Sequence, residues 1–152
     1  MNYEDLLNKV TEEKINLIKY PFKGNAKGFY CDGCIALNSK IKTEKERKCI
    51  LAEELGHYYT SHGSILDKSV NSIKQEHRAR RWASERLITL SNLIDAFKLG
   101  IKGKSNLADY FYVTEEFLDS TISFYRKKYG THHIVKNHII FFEPNLSIVK
   151  MI

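Results

Sequence analysis

Three ionisable side chains, Glu53, Glu54 and His57, interrupt the otherwise apolar stretch 50–60, which reads Ile-Leu-Ala-Glu-Glu-Leu-Gly-His-Tyr-Tyr-Thr. Helical spacing puts residues four apart on one face, so Glu53 and His57 can point the same way and hold one metal ion, with Glu54 beside them. Leu51, Leu55 and Tyr58 make an apolar stripe that Ile50 extends, while Ala52 and Gly56 are small enough to admit a close neighbour. Carboxylates inside such a helix are costly unless a cation or hydrogen bonds compensate them. The same Glu/His spacing also occurs as a solvated hydrogen bond on helix surfaces, so this segment alone leaves two readings open.

The spacing is that of the zinc-binding helix His-Glu-x-x-His with glutamate at the first position. Residues 51–58, Leu-Ala-Glu-Glu-Leu-Gly-His-Tyr, resemble the metal-binding helix of the ImmA/IrrE family of metallopeptidases. Members commonly read His-Glu-Leu-Gly-His there, and phage and mobile-element members include the Glu-Glu-Leu-Gly-His variant. Residues 76–83, Glu-His-Arg-Ala-Arg-Arg-Trp-Ala, are similar to that family's Glu-x-x-Ala-x-x-Phe-Ala helix, whose glutamate is the third metal ligand.

The resemblance implies a metal held by Glu53, His57 and Glu76, and a metallo-endopeptidase that cleaves a helix-turn-helix repressor encoded nearby, inducing a phage or mobile element. Three protein ligands leave a fourth position for water. Glu54, next to the ligands but outside their row, is placed as the catalytic proton acceptor. Two carboxylates and one imidazole cancel a 2+ charge, so the site is a weaker Lewis acid than a two-histidine site. The implied ion is Zn²⁺, with the oxygen ligands shifting preference somewhat toward Mn²⁺ or Fe²⁺. The alternative is a catalytically weak or inactive regulator that binds a repressor or DNA. Tyr58, Tyr59, His62, His132, His133 and His138 are unranked candidates for further site groups.

Several elements must position these residues. Residues 3–10 carry helical spacing after an Asn2 cap, and 15–20 form an edge strand closed by Pro21. Asp32-Gly33 between apolar runs is a hairpin signal, because both central residues of that turn take positive φ. Cys31 and Cys34 flank it; a zinc or redox reading of that Cys-x-x-Cys would need a second ligand pair or a thioredoxin-like context, neither of which is present, so the hairpin is the reading adopted. Thr43 and Glu46 make a capping box for a helix over 44–60, which Ser61-His62-Gly63 ends.

A second long helix is expected over 68–88, with Val70, Ile73, Glu76, Ala79, Ala83 and Leu87 on its inner face. Ala79 and Ala83 let it lie close to Gly56. Lys74, Arg78, Arg80, Arg81 and Arg86 form a basic outer face, read as solvated because no aromatic platform accompanies it. Trp82 belongs to the core.

A short helix over 91–99, a loop at 102–105, and a helix-turn-helix-like pair from Leu107 to Lys128 capped at Thr114 come next. Two terminal strands, in 138–142 and 148–149, form a hairpin. The expected fold is α+β: a zincin-like helical core, a small N-terminal antiparallel sheet, a helix-turn-helix-like region and a C-terminal β-hairpin. The expected divisions are a metallopeptidase-like core at 1–90, a helical region at 91–130 and the hairpin at 131–152 packing on the core, all within one compact unit.

Composition sets the outer bounds. The chain has 152 residues, 43% apolar and 28% charged, with a net charge of +6, which is ordinary for a globular protein. No apolar run approaches the roughly 20 residues of a membrane span. The N-terminus is acidic where a signal peptide would be basic, so a cytoplasmic address is expected. The three cysteines fit reduced thiols rather than a disulfide framework. Moderate positive charge serves solubility, and direct nucleic-acid binding is not expected.

Overall fold

The computed structural model describes residues 1–61 and 71–152. Within them the chain divides into two compact units, Met1–Ala83 and Ser84–Ile152.

The first unit opens with α1 (Tyr3–Glu12). Asn2 and Asp5 cap it reciprocally, each side chain accepting from the other's backbone N–H at 2.8 Å, which satisfies donors that a helix start otherwise leaves unpaired. Leu6 and Val10 face inward, four residues apart and buried. Strands β1 (Asn16–Tyr20), β2 (Gly28–Cys31) and β3 (Cys34–Asn38) then form a sheet in the order β1-β3-β2.

The expected antiparallel pairing holds for β2 and β3, joined by Asp32 and Gly33, both at positive φ. β1 instead runs parallel to β3, pairing Asn16 with Cys34 and Tyr20 with Asn38, so the sheet is mixed. Residues 21–27 reverse the chain widely enough for β3 to enter between β1 and β2. The alternation of apolar residues fixes a strand's faces but not its neighbours, so this insertion has no signature in the sequence.

Side chains alternate across the sheet. Gly28 and Tyr30 face α2 (Glu44–Thr60): a Cβ at Gly28 would lie 2.7 Å from Glu54 Oε1, and Tyr30 meets Tyr58 edge-on. Ile35 and Leu37 share that face and are buried, whereas Ile18 and Phe29 lie on the other face and are exposed.

Helix α2 has the expected bounds, and Thr43 caps it by accepting from the Glu46 N–H at 3.2 Å. The second half of the capping box is not used, because the Glu46 carboxylate pairs with Lys27. Leu51, Ala52 and Leu55 are fully buried, each leucine stabilising the fold by about 1.5–3 kcal/mol relative to exposure.

Helix α3 (Asn71–Leu87) packs against α2. Its expected beginning at 68–70, with Val70, and the expected helix-end residues His62 and Gly63 lie outside the described residues. Its buried face is shorter than the pattern predicts. Ala79, Ala83 and Leu87 are buried, but Ile73 is 65% exposed and Glu76 is also exposed. Trp82 is buried as expected and stacks on Tyr59 at 5.0 Å between centroids.

The second unit contains α4 (Leu90–Lys98), α5 (Lys104–Phe111) and α6 (Glu115–Tyr129). Thr89 and Thr114 cap α4 and α6 through their hydroxyls. The expected loop at 102–105 is shorter, since α5 already begins at Lys104. Strands β4 (His132–Val135), β5 (His138–Phe141) and β6 (Ser147–Lys150) form an antiparallel sheet. The expected two-stranded hairpin thus has a third member, β4. Lys136 turns the chain at positive φ without the glycine that marks such turns. Ile94, Tyr125, Ile140 and Phe142 form this unit's core, and the Tyr125 hydroxyl donates to the Ile88 carbonyl at 2.7 Å. No described helix is long and apolar enough to cross a membrane.

Candidate metal centre

Close approach of α2 and α3 begins at Gly56. A Cβ there would lie 2.3 Å from the Ala79 carbonyl oxygen, so the helices meet where both sequences carry their smallest residues. One residue along α2, His57 Nε2 lies 3.2 Å from Glu76 Oε1. The imidazole is largely covered, with 17% of its side chain exposed, and the carboxylate is more open at 55%. Two of the expected ligands therefore meet from separate helices.

Glu53 lies one turn before His57 and is half-buried. Among the described residues, no three His, Cys, Asp or Glu side chains are close enough to share an ion. The structure thus brings His57 and Glu76 together without bringing Glu53 into the same set.

Glu54 is buried. Its carboxyl is pushed up to about 8, first by desolvation and then by the negative charges of Glu53 and Glu76. The backbone of Gly28 closes over it, leaving no room for a side chain. Accumulated negative charge that resists a further ionisation is a setting a divalent cation would relieve. The imidazole and carboxylates are donors that suit Zn²⁺, Mn²⁺ or Fe²⁺, so the residues fit a metal by their chemistry.

The other candidate groups are engaged elsewhere or fall in the second unit. The Tyr58 and Tyr59 hydroxyls donate to the two oxygens of Glu13, at 2.8 and 3.0 Å. Tyr58 is held above the usual phenol range chiefly by that hydrogen bond. Tyr59 is pushed up to about 12, chiefly by desolvation and then by the same partner. His62 lies outside the described residues. His132 contacts the Thr131 hydroxyl, His133 stacks on Tyr129 at 3.9 Å, and His138 is buried beside Phe97. His132 and His133 lie on β4.

Sequence reasoning missed Gly28 and Glu13. A glycine opening an apolar strand is a weak signal for close backbone approach. Glu13, 45 residues from Tyr58, had no local signal at all.

None of the curated proteins matches the chain. The family model of the IrrE N-terminal-like domain, peptidase family M78, matches residues 9–123, well over half of the 152-residue chain. That stretch includes the helices carrying Glu53, Glu54, His57 and Glu76, and the chain belongs to the IrrE N-terminal-like peptidase family, for which a metal ion and a protein substrate are implied.

Proposed function

We propose that the protein is a metal-dependent endopeptidase that cleaves a helix-turn-helix transcriptional repressor and so induces a phage or mobile genetic element. The observation that carries the reading is the His57–Glu76 contact between two helices, within a peptidase-family chain. On this reading Glu53 joins His57 and Glu76 as the third ligand, and zinc is the ion, with manganese or iron favoured more than at a two-histidine site. When bound, the ion polarises the scissile carbonyl and acidifies a water.

Glu54 does the proton work. It follows Glu53 directly, so it projects about 100° round the helix and lies beside the ligand row rather than in it. Its carboxylate accepts the proton of the attacking water and returns it to the departing amide nitrogen. Burial keeps the group away from bulk solvent, and Gly28 holds the neighbouring strand against it. The basic residues of α3 remain a solvated face, without a role in binding nucleic acid.

The test combines metal analysis of protein purified without chelator with incubation against the repressor encoded by the adjacent gene. One discrete cleavage, lost on chelation and restored by added Zn²⁺ or Mn²⁺, is the expected result. Stoichiometric repressor binding without cleavage at any metal loading would favour the non-catalytic regulator instead.

A further inference from the structure

Cys31 and Cys34 are direct cross-strand partners at the end of the β2–β3 hairpin. Asp32 and Gly33, at φ +40° and +77°, make the turn between them. Opposed residues of an antiparallel pair have Cα atoms about 4.5–5.5 Å apart, inside the roughly 4.4–6.8 Å that a disulfide bridges. Such residues also point to the same face of the sheet. Here it is the face turned away from α2, because the alternate residues Gly28 and Tyr30 meet Glu54 and Tyr58. Both thiols are free, Cys31 exposed and Cys34 half-buried, whereas the third, Cys49, is buried in α2. The hairpin and the Cys-x-x-Cys are therefore compatible, since the turn itself opposes the two sulfurs. The proposed peptidase chemistry uses neither.

We propose that Cys31 and Cys34 are a hydroperoxide-sensitive dithiol that closes into a disulfide across the turn. The Cys31 thiolate, the more accessible sulfur, attacks a peroxide oxygen; the S–O bond forms as the O–O bond breaks, and the departing hydroxide takes up a proton. The Cys34 thiolate then attacks the sulfenic sulfur, forming the S–S bond as the S–O bond breaks and a second water leaves. Two thiols and hydrogen peroxide give one disulfide and two waters, with two electrons passing from sulfur to peroxide. The bridge pins the turn end of β2, the strand whose Gly28 lies against Glu54.

The experiment uses the full chain, reduced, freed of reductant and exposed to hydrogen peroxide. Intact mass should fall by two hydrogens, peptide mapping should join Cys31 to Cys34 with Cys49 still alkylatable, and dithiothreitol should reverse the change. Cys34→Ser should instead leave a sulfenic acid on Cys31 that dimedone traps, and Cys49→Ser should close as the parent does. Folding should speed closure on the order of tenfold over the urea-unfolded chain, because the register holds the sulfurs together. Equal rates would show that sequence proximity alone makes the pair. Loss of two hydrogens in Cys34→Ser, bridges only between chains, or Cys31 and Cys34 both still alkylatable after peroxide would also overturn the proposal. None of these readouts needs peptidase activity.

Discussion

Gly56 and Ala79 meet backbone to backbone: a Cβ on Gly56 would lie 2.3 Å from the Ala79 carbonyl oxygen and 2.8 Å from its Cα. Helix propensity alone would favour Gly56→Ala by about 1 kcal/mol. Neither backbone can move aside as a flexible side chain can, and overpacking costs about 1–3 kcal/mol. The variant should therefore melt below the parent and bind metal more weakly, since His57 and Glu76 are carried by the helices being forced apart. Thermal unfolding with and without added Zn²⁺ measures both effects; a raised melting temperature would mean the contact is looser than described.

Glu54→Gln should retain metal and abolish cleavage, by about 10²-fold or more for a lost general base. Gly28→Ala offers a second approach to the same carboxyl, because its Cβ would lie 2.7 Å from both Glu54 Oε1 and Ile50 Cγ2. It should lower kcat with little change in metal stoichiometry. Normal cleavage by Glu54→Gln would transfer the role to another group, Glu53 first.

Glu53→His tests the proposed third ligand. Imidazole keeps the helical position, replaces a hard oxygen with a donor that zinc favours, and restores a net positive site. Zinc affinity, measured by competition with a chelating indicator at fixed pH, should rise. A metal-bound histidine wants an acceptor for its second ring N–H, which sets the size of the gain. If Glu53→His and Glu53→Ala both left affinity unchanged, Glu53 would be no ligand.

Alkaline unfolding should report on Tyr125. Burial, then the charge of Glu85 and the neighbouring Tyr129, raise its phenol above the ordinary value. A raised folded pKa means that the stabilisation is complete below the unfolded value of about 10 and is lost as pH climbs toward the folded value. Tyr125→Phe should be less stable at neutral pH by about 1 kcal/mol, having lost the hydrogen bond to Ile88. It should also decline less steeply above pH of about 10. Urea titrations of both proteins at neutral and alkaline pH give the two slopes, and parallel slopes would exonerate the buried phenol.

The helices were legible because their signals are local. Asn2, Thr43 and Thr114 each cap the helix expected of them, and α2 has the predicted bounds to the residue. The closeness of Gly56 to the Ala79 region followed from side-chain size alone. The parallel placement of β1 did not, because its partner is chosen by a strand inserted later in the chain. β4 escaped notice because its turn lacks glycine. In the candidate site, the His57–Glu76 pairing was foreseeable from two spaced motifs, whereas the Glu13 clamp on both tyrosines depends on a distant residue with no pattern around it.

The chain has a single tryptophan, and it sits where an optical label would be placed by design. Trp82 is carried by the helix of Glu76 and stacks on Tyr59, two residues beyond His57 on the facing helix. Its emission therefore comes from the helix pair that bears His57 and Glu76, without interference from another indole. Ion uptake, helix separation and local melting of that pair can each be followed by intrinsic fluorescence in the unlabelled protein.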